Sequence, residues 1–353
     1  MDIYRIINNN ILELIFLTSF FILTLLYFWK VKWRNFLLTI SSILFSLLLG
    51  EAICRLYDYG NPHSYTYREK ISAKPELGYH YEPNQELIYY YPDNPRGYFD
   101  SENRVVGHIN SKGFRGAEKD FKKDDTVTRI AVLGDSYTLG LGNKDEDTLC
   151  TRMEYWLKSL GKNVEVLNFG VTSTNTALQV NLLQRYVLRF EPDIVLLIVC
   201  MNDVESLPKP CIKPEDLFSL SKMKTFRSTR RFSWFVNTFL KSIERHLISK
   251  RMTEIYITGY EDKNPGWISI KESILKARNL ALENHFIFRV CIYPEMLNLD
   301  KNYPFRGIHF KIWEFCQNNN IKVFDLLNLF IGKKDSELYH FLIDKLQMTC
   351  YNF

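Results

Sequence analysis

The hydrophobic pattern has two regimes, long uncharged runs at the start of the chain and short apolar runs at regular intervals beyond residue 125. Leu14 to Trp29 carries no charge, and the apolar character reaches back to Ile6 with only Glu13 interrupting. That is long enough for a helix that crosses a membrane. Asn35 to Gly50 is also uncharged and extends to Cys54 if Glu51 snorkels toward the headgroups. The pattern therefore predicts two transmembrane helices within residues 1–57. Lys30, Lys32 and Arg34 occupy the short connection between them, which the positive-inside bias places in the cytoplasm. Everything after the second helix is then extracytoplasmic. A cleaved signal peptide fits less well, because no basic leader or small-residue cleavage site brackets the first run. A soluble helical hairpin would need partner helices, yet the sequence turns polar at once after residue 60.

Residues 58–124 are rich in Tyr, Pro, Asn and Gly. LGYHYEPNQELIYYYP reads as one or two strands and PDNPRG as a turn, so a small β-rich connector is expected here. It ends in INSKGFRG, which contains Asn110, Gly113, Phe114, Arg115 and Gly116 and to which the sequence alone assigns no role. The charged linker EKDFKKDD follows.

From residue 125 to 353 strands and helices alternate. Ile130 to Leu133 is a continuous apolar run, the mark of a strand covered on both faces. Gly134 ends it, and Asp135 and Ser136 fall in the loop at its carboxyl end. Leu149, Met153, Trp156, Leu157 and Leu160 recur at helical spacing and predict an amphipathic helix over about 147–160. Val164, Val166 and Leu167 make the second strand, Leu178 to Phe190 the next helix, and IVLLIVC the third strand, ending at Met201, Asn202 and Asp203. FIFRVCIYP and IKVFDL supply two more, each after a helical pattern. This alternation predicts an α/β domain on a parallel five-stranded sheet. Between residues 204 and 266 lies an insertion carrying Lys222, Lys224, Arg227, Arg230, Arg231, Lys241, Arg245, Lys250 and Arg251. It reads first as a solvated, partly helical surface segment, and second as a lid for an anionic polymer or anionic headgroups.

Composition changes this picture little. With 353 residues and 46% apolar residues there is ample material for a packed core. A net charge of +5, without basic blocks alternating with aromatics, excludes a nucleic-acid partner. The seven cysteines, at 54, 150, 200, 211, 291, 316 and 350, show neither C-x-x-C nor zinc-ligand spacing, and their odd number leaves at least one unpaired. The 21 tyrosines and 25 phenylalanines fit a membrane-facing chain and a large aromatic core equally well.

A serine hydroxyl at the carboxyl end of a buried strand stands where open α/β sheets carry chemistry. Gly134-Asp135-Ser136 alone could equally be a helix cap. Two further blocks at strand ends, NFGVTSTNT and Cys200-Met201-Asn202-Asp203, make the pattern specific, and over roughly residues 125–344 the chain resembles the SGNH (GDSL-type) ester hydrolases. The resemblance implies a flavodoxin-like three-layer α/β/α fold and an acyl-serine mechanism needing no metal or organic cofactor. Ser136 corresponds to the nucleophile. The oxyanion donors would be the amides of Ser136 and Ser173 and the side chain of Asn202, with Ser173 standing where the family has glycine. Cys200 also replaces a glycine, and is expected to crowd the pocket. The implied reaction is hydrolysis of an acyl ester, O-acetyl or similar, on envelope carbohydrate or lipid. Acyl transfer to a sugar hydroxyl, and a catalytically dead relative that binds glycan or membrane, remain alternatives.

The family's last block, Asp-x-x-His, corresponds to Ile343-Asp344-Lys345-Leu346-Gln347. Asp344 is in place and the histidine is not. Gln347 cannot accept a proton at neutral pH. His340 is the nearest substitute, four residues before the aspartate, and the histidines at 63, 80, 108, 246, 285 and 309 match no block. No amphipathic helix follows before Phe353. A single lost base in the gene accounts for both departures, so truncation is expected here in preference to adaptation.

Overall fold

The structure, a computed structural model, describes residues 18–22, 24, 34–60, 66–68, 71–74, 78–91, 94, 97–204, 250–296 and 299–333. The described residues fall into two compact units that part between Asn61 and Pro62.

The first unit contains helix α1, Arg34–Gly60. Within it Leu38–Leu56 spans 19 residues at a mean hydropathy of 1.6, with 6% of the window buried, so this helix is long and apolar enough to cross a membrane. The hydroxyls of Thr39, Ser42 and Ser46 turn back to the carbonyls of Asn35, Leu38 and Ser42, which hides polar groups that an apolar medium would penalise. Glu51 pairs with Arg55 one turn on at 2.8 Å. Of the first apolar run, residues 18–22 and 24 are helical and the remainder lies outside the described residues.

The second unit opens with five short antiparallel strands, β1 Thr66–Arg68, β2 Ile71–Lys74, β3 Gly78–Tyr81, β4 Glu86–Tyr90 and β5 Arg104–His108; β3 and β4 fall within LGYHYEPNQELIYYYP, where the sequence predicts one or two. They form a three-stranded sheet, β1-β4-β5, and a separate β2-β3 pair. Strand β5 escapes a sequence reading because its buried positions are Val105 and Gly107, and a glycine on the inward face erases the period-two apolar signal.

The main sheet contains β6 Thr128–Gly134, β7 Val164–Gly170, β8 Ile194–Val199, β9 Ile287–Ile292 and β10 Val323–Asp325, all parallel and arranged β7-β6-β8-β9-β10. Counted along this domain the order is 2-1-3-4-5, that of flavodoxin-like doubly wound folds. The connecting helices are the one-turn α2 Ser136–Leu139, α3 Leu149–Ser159, α4 Thr176–Arg185, α5 Pro265–Asn284 and α6 Arg306–Asn318; a short α7, Leu327–Phe330, follows β10. Right-handed crossovers force the β6 to β7 connection onto one face and the other three onto the opposite face. Accordingly Cys150, Met153 and Leu157 of α3 pack on Ile130, Val132, Val166 and Ile198, whereas α4, α5 and α6 share the large cluster with Ala131, Leu133, Leu197 and Val290. The three layers expected from the sequence are present.

One expectation changes. The predicted stripe on α3 included Leu149, Trp156 and Leu160, but these are exposed; the face turned to the sheet is Cys150, Met153 and Leu157. One helix set against the edge strand buries only a narrow stripe. Of the basic insertion, 204–266, residue 204 and residues 250–266 are described. Residues 250–259 are helical, and Met252, Tyr256 and Tyr260 are buried in the large cluster, with the Tyr260 hydroxyl donating to the Cys200 carbonyl at 3.1 Å. This end belongs to the core. Most of the basic side chains lie outside the described residues.

Candidate active site

The carboxyl ends of β6, β7 and β8 bring the three sequence blocks together. Strand β6 runs into Gly134, paired in register with Gly170 of β7. A Cβ at Gly134 would collide with Thr138 Oγ1, and one at Gly170 with the backbone of Leu139, so both glycines exist to let the turn after β6 fold tightly over the strand ends. Asp135 caps α2, its Oδ1 accepting from the Tyr137 amide at 3.0 Å, and Ser136 opens that helix, buried at 2% exposure.

Asn202 lies in the 3₁₀ turn Met201–Val204 after β8 and donates its Nδ2 to Asp135 Oδ2 at 3.1 Å. An amide NH₂ has two hydrogens, and this bond uses one. The first and second blocks are joined by the Val171 amide donating to the Gly134 carbonyl at 3.1 Å. Asp203 ties the second to the third: its Oδ2 accepts from Thr176 Oγ1 at 2.9 Å and from the Cys200 amide at 3.1 Å. Ser173, in the turn between β7 and α4, has φ of 60°. A non-glycine residue therefore adopts the left-handed conformation there and keeps its N–H.

Cys200 is buried, packs in the cluster with Val132 and Ile198, and directs its Sγ at Asp135 Oδ1, 3.6 Å away. Its bulk is taken up by the core, which corrects the expectation of a crowded pocket. Burial, reinforced by the Asp135 charge, pushes its thiol well above the usual range, so it is not a reactive thiolate.

Beyond β9 the structure reveals a polar network with no sequence signal. Tyr137 packs against Tyr293 with ring centroids 4.8 Å apart and planes tilted by 34°, and donates its hydroxyl to Glu295 Oε1 at 3.4 Å. The Glu295 amide donates to the Tyr303 hydroxyl at 2.9 Å, which meets His309 Nε2 at 3.3 Å, while His309 Nδ1 lies 2.8 Å from Asp325 Oδ1. The ionised Asp325 carboxylate only accepts, so Nδ1 carries the hydrogen toward it, and in that tautomer Nε2 accepts from the Tyr303 hydroxyl. Burial raises the Asp325 carboxyl, but the hydrogen bonds from His309 and the Leu327 amide outweigh it and hold it below the usual carboxylate range. The two ring nitrogens of His309 thus tie α6 to Tyr303 in the β9 to α6 loop and to Asp325 at the end of β10. The pair joins residues 16 positions apart on a helix and a strand, which local sequence does not reveal.

Asp344, Gln347 and His340 lie outside the described residues, as does the whole end block.

No protein-family model matches the chain, and no curated protein does. Solved structures do match. One is a putative lipolytic protein of the G-D-S-L family from Desulfitobacterium hafniense DCB-2, at 15% identity and a TM-score of 0.33, covering 63% of this chain and 99% of that one. AlinE4, an SGNH-hydrolase family esterase, is 16% identical with a TM-score of 0.32 over 61% of this chain and 84% of its own. The psychrotrophic esterase EstA from a Pseudoalteromonas species gives 11%, 0.33, 63% and 96%. The class itself follows from strand order and crossovers: a flavodoxin-like α/β/α protein whose three blocks meet at the β6/β8 switch point, where such sheets place their chemistry.

Proposed function

We propose that the chain is a serine ester hydrolase of the SGNH type, with Ser136 as nucleophile. The observation that carries this reading is the Asp135–Asn202 hydrogen bond, which sets the nucleophile turn against the third block at the switch point. In this scheme Ser136 Oγ attacks the acyl carbonyl carbon and the carbonyl π electrons move onto oxygen. The amides of Ser136 and Ser173 and the second hydrogen of Asn202 Nδ2 receive that charge, each donor lowering the barrier by roughly 2.7–4 kcal/mol. The proton released from Ser136 Oγ passes through solvent to the departing alkoxide, so that collapse breaks the ester C–O bond and releases the alcohol, and water then attacks the acyl-serine, restoring the serine hydroxyl and releasing the carboxylic acid. The serine proton needs a base. With Gln347 in the family's histidine position, base assistance of roughly 10²- to 10⁴-fold is missing from the end block, so turnover is slow.

The three-part division into 1–57, 58–124 and 125–353 belongs to the same proposal, with α1 in a membrane and the hydrolase domain on the extracytoplasmic side. That side favours O-acyl groups on envelope carbohydrate or lipid as substrates. Purified protein with a chromogenic acetyl ester and a Ser136→Ala control tests the reaction; equal turnover by both rejects the nucleophile. Transfer predicts a rate that rises with added sugar acceptor and an acylated sugar as product. Gln347 favours a second reading, a binding relative without turnover, for which the signature is glycan retention with no acyl-serine adduct.

A further inference from the structure

We infer that Arg115 is a positioning residue for Ser136, an inference that rests on the hydrolase reading above. Helix α2 has a single turn, and so short a helix satisfies few of its own carbonyls and does not hold its shape alone. Its final carbonyls are met from outside. Asn168 Nδ2 donates to the Thr138 carbonyl at 2.9 Å. Arg115 takes the next ones: Nη1 donates to the carbonyls of Leu139, 3.1 Å, and Gly140, 2.6 Å, and Nη2 to that of Asn143, 2.5 Å. Its Nε donates to Asp145 Oδ1 at 2.9 Å, and its side chain is 1% exposed. The turn gripped in this way closes on the nucleophile, since the amides of Gly140 and Leu141 both donate to the Ser136 carbonyl at 3.1 Å.

The rest of the INSKGFRG segment holds the guanidinium in register. Arg115 pairs through its backbone with Ile109 and Asn168, so the segment adds to the edge of β7. Phe114 meets Phe169 edge to face at 4.6 Å. A side chain at Gly107 would place its Cβ 2.5 Å from Arg115 Nη2, so β5 leaves a slot for the guanidinium. A planar fork of donors reaches three carbonyls and a carboxylate together, whereas an ammonium does not. A cavity of about 680 Å³ lined by His108, Asn110, Arg115, Lys119, Asp145 and Glu154 leads to this point.

The test combines ester kinetics with amide hydrogen exchange on the full chain. Arg115→Lys is expected to lower kcat about 10²-fold, the size of effect an ångström-scale misplacement produces, with KM unchanged. Arg115→Ala should do the same and recover in part when guanidinium ion is added below denaturing concentration, because the cavity admits it. In both variants amides 137–143 should exchange faster while those of β8 and β9 stay as in the wild type. Unchanged kcat in Arg115→Lys, or faster exchange in every strand alike, overturns the inference. If Arg115→Ala does not fold, Gly107→Ala, which intrudes on the guanidinium, supplies the same readings. A wild type that neither cleaves ester nor is labelled at Ser136 by a fluorophosphonate rejects the hydrolase reading alone, and exchange at 137–143 still decides whether Arg115 holds the turn.

Discussion

Asn202 donates its side-chain amide to the Asp135 carboxylate at 3.1 Å, and both residues are 1% exposed. The bond fixes the amide plane and so the direction of its remaining hydrogen. Asn202→Ala should lower kcat for an acetyl ester roughly 10²- to 10³-fold, the cost of one oxyanion donor. Asn202→Asp should be worse, because it sets a second carboxylate against a buried one and disfavours ionisation of both. Its melting temperature should fall well below that of Asn202→Ala, as thermal unfolding will show.

Ser173 pays for its left-handed backbone with steric crowding that glycine does not have. Ser173→Gly should therefore keep full activity and gain up to about 1 kcal/mol, the relief of strain exceeding the entropy added to the unfolded chain. Ser173→Val, β-branched at the same φ, should lose stability and activity together. Denaturant titration of both variants checks the sign.

Gln179 on α4 is 2% exposed, and among the described residues neither of its amide atoms has a hydrogen-bond partner. Gln179→Met keeps length and helix preference while removing the buried polar group. It should raise stability by about 1–3 kcal/mol, read as a higher urea midpoint at an unchanged slope.

Arg129, with 2% of its side chain exposed, meets Glu165 at 2.7 Å, and Lys119 lies 3.3 Å from the other carboxylate oxygen. Burial raises the Glu165 carboxyl, but the Arg129 hydrogen bond and the charges of Lys119 and Arg129 prevail and hold it below its ordinary 4.5. A depressed folded value means this stabilisation is complete above about pH 4.5 and is lost as pH falls through the folded value. Glu165→Gln should be less stable than wild type at pH 7, and the gap should narrow below pH 4.5. A gap independent of pH would contradict the ion-pair account.

Strands β6 and β8 were legible because a strand buried on both faces reads as an unbroken apolar run, ended here by Gly134 and opened by Pro192, whereas β7, β9 and β10 were placed by shorter apolar stretches alternating with helical patterns. The antiparallel connector was less legible, since its strands are short and β5 turns a glycine inward. Periodicity identified α3 but not the side it shows the sheet. Leu149, Trp156 and Leu160 are as periodic as Cys150, Met153 and Leu157, and only packing chose between them.

From the sequence alone came the strand and helix alternation, the long apolar helix and the three blocks at strand ends, because each depends on neighbours within a few residues. The joining of those blocks did not. Asp135 and Asn202 are 67 positions apart, Arg115 and Gly140 are 25, and each pair meets only once strand order and register are set. Tertiary structure thus decided which carboxylate orients the amide and which guanidinium holds the serine turn, since a hydrogen bond between distant residues is a property of register and not of local pattern.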